Sequence, residues 1–152
     1  MIDINNESGQ SVNEKSLVKL ARFAMDLLHI HPDAELSIVL VDEATMSVYH
    51  EKFIGEPGPT DVLSFPMDEL RPGQADQEPP TGVLGDIVLC PSYIQRQADG
   101  MERTFNEEVG YLLVHGLLHL LGFDHGEPEE KAVMFALNDQ IMQAWDKRKA
   151  RN

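Results

Sequence analysis

A chain of 152 residues, 42% hydrophobic and 25% charged, has the size and balance of one globular domain, so a single unit over 1–152 is expected. No apolar run approaches the roughly 18 residues that cross a bilayer, MIDINNESGQ lacks the basic and apolar stretches of a secretory leader, and Cys90 alone cannot form an intrachain disulfide. These features fit a cytoplasmic protein without a membrane partner, and a formal net charge of −14 disfavours indiscriminate adhesion to nucleic acid or anionic lipid.

The opening IDI reads as a short strand. Ser11 and Glu14 have capping-box spacing, and Leu17, Leu20, Ala21, Ala24, Leu27 and Leu28 recur at helical intervals, predicting a helix over 13–29. ELSIVLV at 35–41 reads as a buried strand. Asp42 caps a second helix that runs to Ile54, and GEPGPT leads from it into a strand at 61–66 that Pro66 stops. Residues 69–82, ELRPGQADQEPPTG, have no periodicity and are expected as a mobile surface loop. GDIVLC at 85–90 is the next strand, and Pro91 suits the first position of a short helix.

Thr104 and Glu107 form a second capping-box pattern, starting a helix that runs to Leu121 before Gly122. A last helix spans 128–147, with Met134, Leu137, Ile141 and Trp145 on one face, and the basic end, 147–152, is expected to fray. Strands alternating with helices point to an α/β or α+β layer fold.

The chemistry concentrates in HGLLHLLGFDH, residues 115–125. His115 and His119 are four apart, so both imidazoles leave one helix face. The surrounding Tyr111, Leu112, Leu113, Val114, Leu117, Leu118, Leu120 and Leu121 make the helix apolar nearly all round, and imidazoles buried there need partners. Gly122 turns the chain back, which lets His125 join them. Three protein ligands that leave a position for water are the pattern of a catalytic zinc site, though three imidazoles also suit nickel, copper or iron. Asp124 either orients a ligand imidazole or belongs to the turn. Asp86 either faces the site or caps a turn, with the cap favoured.

A zinc protease of the HExxH type carries its general base directly after the first ligand. Gly116 occupies that position here, so ordinary metal-assisted peptide hydrolysis has no base. A metal that activates water and neutralises a phosphoryl oxygen suits a phosphodiester instead.

HGLLHLLGFDH, preceded by PTDVLSFP at 59–66 and LGDIVLC at 84–90, resembles the YbeY family of metal-dependent endoribonucleases. The resemblance runs from ELSIVLVD to the last helix, and PMDEL with the following loop is similar to the actinobacterial branch. It implies a zinc-binding α/β fold, with a small mixed sheet of about four strands among five or so helices and the metal at the end of a buried helix. It also implies a single-strand-specific endoribonuclease that matures the 3′ end of small-subunit ribosomal RNA and serves ribosome quality control, with RNA and the ribosome or its proteins as partners. Carried over by position, His115, His119 and His125 match the ligands of one zinc ion, while Thr60, Asp61 and Ser64 fall in a block that supports the cleft.

Many members of that family place an arginine after the aromatic residue of the second helix. Here Tyr49 is followed by His50, which either binds phosphate or carries a proton in the arginine's place, or is a helix-surface residue. His115 and His50 are thus the candidate catalytic residues. Lys15, Lys19 and Arg22 in the first helix, and Lys147, Arg148, Lys149 and Arg151 at the tail, read as solvated faces. With so acidic a total, RNA is expected to be met in a ribosomal setting where a protein partner adds affinity. Two other readings stay open on the residues alone: a non-catalytic ribosome-assembly factor with a structural metal, and a metal hydrolase of another substrate.

Overall fold

The computed structural model describes residues 1–151. Its elements run β1 (Ile2–Asn6), α1 (Glu14–Leu27), β2 (Glu35–Leu40), α2 (Glu43–Ile54), β3 (Val62–Pro66), β4 (Val83–Leu89), α3 (Pro91–Gly100), α4 (Phe105–Leu120) and α5 (Pro128–Arg151). The strands form one mixed sheet in the order β1-β2-β4-β3, so the expected α/β architecture is the one that forms. β1 and β4 flank β2 in parallel, and β3 closes the far side antiparallel to β4.

Side-chain alternation divides the sheet between two apolar layers. Leu36, Ile38 and Leu40 of β2 join Ile87 and Leu89 of β4 in the larger core, against Leu20 and Ala24 of α1, Leu113 and Leu117 of α4, and Ile141 of α5. On the opposite face Val88 packs with Leu63, Val41 and Met46 of α2. Covered on both sides, β4 needs the near-continuous apolar sequence VLGDIVL, as interior strands of parallel sheets do.

Local signals set most helix starts. Asp42 Oδ1 accepts from the Thr45 amide at 2.8 Å, and Thr104 and Glu107 complete a reciprocal capping box. At α1 the Ser11–Glu14 pattern is not the cap. Asn13 Oδ1 accepts from the Ser16 amide at 3.2 Å, because the helix begins at Glu14 and places Asn13 at the N-cap.

Residues 69–82 carry no helix or strand, as expected, yet they are fastened along their length. Gly73 N donates to Leu28 O at 2.9 Å, and His31 N and Glu35 N donate to Pro80 O and Gly82 O at 2.9 and 2.8 Å. Leu70 packs against the core. The tail also differs from expectation. Rather than fraying at Lys147, α5 continues through Arg151, with Trp145 buried and its ring centroid 5.3 Å from that of Phe23 on α1. Asn152, the remaining residue of the expected frayed tail, lies outside the described residues.

Candidate metal centre

Helix α4 is apolar on almost every side, and Leu113, Val114, Leu117 and Leu118 are all at most 1% exposed. It crosses β3 closely at Gly116. A Cβ there would lie 2.9 Å from Ile87 Cγ2 and 3.1 Å from Ser64 Oγ, and the Ser64 hydroxyl donates to the Gly116 carbonyl at 3.1 Å. The missing protease-type glutamate therefore has a packing cause: the helix face after His115 lies directly against the sheet.

His115 and His119 leave the same side of α4, their ring centroids 4.7 Å apart. The helix ends at Leu120, and Gly122 takes a φ of +94°, which L side chains resist. The turn returns His125 to within 5.1 Å of His119 and 5.7 Å of His115, centroid to centroid. One nitrogen from each ring can be chosen so that all three lie within 4.8 Å of one another. Phe135 of α5 stacks on this group, 6.0 Å from His115 and 6.4 Å from His125.

Burial disfavours the charged form of the two helical imidazoles. Burial, then the neighbouring His119 and His125, push His115 down to about 4, with Asp61 opposing. Burial and then His125 also lower His119. A neutral imidazole has a lone pair free for a metal. The Nδ1 of His115 is buried and has no hydrogen-bond partner, whereas His119 Nδ1 lies 3.0 Å from the Phe123 carbonyl. The donor set fits a divalent transition metal, and no further His, Cys, Asp or Glu joins the group among the described residues.

The histidines border a cavity of about 520 Å³ whose opposite wall is β3, with Asp61, Ser64 and Phe65. Asp61 Oδ1 accepts from the Val62 amide at 2.6 Å, and Oδ2 accepts from Gln97 Nε2 at 3.1 Å. Thr60 Oγ1 donates to Asp61 Oδ1 at 3.4 Å. The TDVLSF block thus supplies both the β3 wall and a carboxylate facing the histidines.

Other candidates fall elsewhere. His50 does not line the cavity. Its Nδ1 lies 2.9 Å from the Gly58 carbonyl and its Nε2 is 3.6 Å from Glu56, so it secures the turn after α2. Asp86 is neither a turn cap nor a cavity residue. It sits inside β4, in register with Phe65 and Ser37. Asp124 Oδ1 accepts from the His125 backbone amide at 2.7 Å, and it is the Phe123 carbonyl that meets the His119 ring. Arg71 was not a candidate from sequence. Its guanidinium covers Gly122, where a Cβ would come within 2.6 Å of Cζ, so the 69–82 segment braces the turn between His119 and His125.

The family model described as Endoribonuclease YbeY matches residues 3–146. The chain is 66% identical to the Endoribonuclease YbeY of Cutibacterium acnes, over 96% of this chain and 94% of that one. It is 53% identical to the Leifsonia xyli protein of the same name, over 93% and 92%. The Thermotoga maritima protein TM1509, a solution structure, is 23% identical with a TM-score of 0.59, covering 100% of this chain and 96% of that one. That likeness extends to the fold.

Proposed function

The chain belongs to the YbeY family of endoribonucleases, and on that premise we propose that it is a metal-dependent endoribonuclease acting on single-stranded RNA. Its substrate is ribosomal RNA, matured at the 3′ end of the small-subunit molecule, and it serves ribosome quality control in the cytoplasm, with the ribosome or its proteins as partners. The ion is a single zinc held by His115, His119 and His125. The observation that carries this reading is the incomplete donor set: three imidazoles beside a cavity, without a fourth protein ligand in the group among the described residues. A structural zinc site closes with four protein ligands, and a catalytic site keeps one position open.

When bound, such an ion supplies Lewis acidity and makes water acidic near neutral pH. The protein's own part is placement. Phe123 O orients the His119 ring, and the Ser64–Gly116 bond sets the spacing between β3 and α4. Asp61, held by Gln97 and by the Val62 amide at the start of β3, provides an acceptor in the same cavity as the histidines and serves to position water or take up a proton. In this reading Asp61 takes the role that the helix denies to position 116. Phe65 and Phe135 provide apolar surface on either side of the group.

The test is cleavage of single-stranded RNA by highly purified protein, beside His115→Ala and a chelated sample. Loss of cleavage in both supports the reading. Undiminished cleavage in both identifies a contaminating nuclease and removes it.

A further inference from the structure

The two basic segments of the chain, far apart in sequence, meet in space. Lys15, Lys19 and Arg22 lie on one side of α1, and Arg148 and Lys149 approach them from α5 across a groove of about 790 Å³. Among the described residues, the only carboxylate lining that groove is Asp26. It continues past Phe23 into a second hollow lined by Lys147, Arg148 and Arg151, with no acidic residue among the described ones. These seven side chains are more than half of the chain's 12 Lys and Arg.

The groove has a built floor. Phe23 and Trp145 pack with centroids 5.3 Å apart, the Arg148 guanidinium lies 5.4 Å from the Phe23 centroid, and the Lys149 ammonium lies 5.8 Å from that of Trp145. Asp146 is 3.8 Å from Lys149, while Lys15, Lys19 and Arg148 have no ion-pair partner among the described residues. In a chain with 26 acidic side chains and a net charge of −14, this is where a polyanion is attracted while the remainder repels it.

Position bears on what the groove can do. The α5 end of the groove adjoins the start of α4, where Trp145 and Lys149 share a cavity with Arg103 and Thr104 and with the carboxylates of Glu107, Asp139 and Asp146, so the basic strip ends there. From Thr104 to the histidines, at 1.5 Å per residue, is roughly 20 Å. A strand in the histidine cavity reaches the groove only if it continues several nucleotides beyond the cut.

We propose that the α1–α5 groove binds the phosphodiester backbone of substrate RNA away from the cleaved bond, as a docking strip that sets how a long RNA enters the histidine cavity. The proposal rests on the endoribonuclease reading for its ligand. A positively charged groove is what tracks a single-stranded backbone without reading sequence.

The experiment compares wild type with Lys15→Gln/Lys19→Gln/Arg148→Gln, with circular dichroism confirming that both fold. Binding of a labelled single-stranded RNA that spans both sites is followed by anisotropy from about 50 to 200 mM salt. Each lost phosphate contact on a single strand reduces the log–log salt slope by about 0.7, so the triple variant is expected to lose about 2. Its KM for the long RNA rises severalfold, while kcat and the KM for a short oligomer that fits only the histidine cavity stay unchanged. An unaltered slope overturns the proposal whatever happens to cleavage, and loss of cleavage by wild type would count against the endoribonuclease reading alone. Binding to phosphatidylglycerol vesicles that the variant loses, with the RNA slope unaltered, would assign the groove to a membrane and likewise overturn it.

Discussion

The hydroxyl of Ser64 donates to the carbonyl of Gly116 at 3.1 Å, tying β3 to α4 beside the first helical histidine. The contact requires that position 116 have no side chain, since Ile87 Cγ2 already stands 2.9 Å from where a Cβ would be. One glycine therefore brings together the histidine-bearing helix and the strand that begins just after Asp61, and it excludes the glutamate of a zinc protease.

Gly116→Ala is expected to destabilise the fold. Helix propensity favours alanine by about 1 kcal/mol, but overpacking a full interior costs about 1–3 kcal/mol, and Ile87 is 0% exposed with nowhere to move. Gly116→Glu, which would install the HExxH pattern, should disrupt the β3–α4 contact and create no protease. Urea unfolding and a peptide-cleavage assay check both.

Metal should stabilise the folded chain through the three histidines. Zinc at about a thousand times its dissociation constant adds about 4 kcal/mol, seen as a raised Tm that chelation reverses. His115→Ala, His119→Ala and His125→Ala should each remove most of that rise, and His50→Ala should leave it intact. A rise that survives in the first three would place the ion elsewhere.

Much of this centre was legible in the sequence because its determinants are local. The i, i+4 histidines, the glycine that ends the helix and the third histidine lie within eleven residues, and the caps at Asp42 and Thr104 involve neighbours three apart. What escaped is non-local or lacks a residue signature. Only the family resemblance pointed to Asp61, 54 positions before His115; a backbone carbonyl orients His119, and Arg71 arrives from a segment without periodicity. Ser11 and Glu14 mimicked a cap that Asn13 supplies. The two basic runs looked like separate solvated faces because strand and helix order alone do not reveal that α1 and α5 are neighbours.

Glu108 supplies a stability test outside the site. Its side chain is 2% exposed, and Oε1 accepts from Arg103 Nη1 at 3.2 Å while Oε2 has no partner. Arg103→Ala leaves the carboxylate buried and uncompensated, at a cost of about 1–3 kcal/mol. Adding Glu108→Gln, which removes the charge, should recover part of the loss in a chemical-denaturation cycle.

Glu43 sets a pH dependence whose sign is fixed. Hydrogen bonds from Arg96, then from Ser92, hold it at about 2, below its ordinary 4.5. Its stabilising effect is fully present above 4.5 and is lost as pH falls through about 2, since the unfolded chain takes up the proton first. Solvent around the pair screens the effect and keeps it small. The difference in urea midpoint between wild type and Glu43→Gln should therefore shrink from pH 5 to pH 2 and remain flat above pH 5.

The strand order β1-β2-β4-β3 has a consequence during synthesis. β1, α1 and β2 are all present in the chain by residue 40, but the other edge of β2 belongs to β4, which begins at Val83. While the intervening residues emerge, an apolar strand waits with one row of amides and carbonyls unclaimed, the condition in which nascent chains stick to one another. Slowing elongation between those positions should increase aggregation of the newborn protein, and completing β4 should end that exposure.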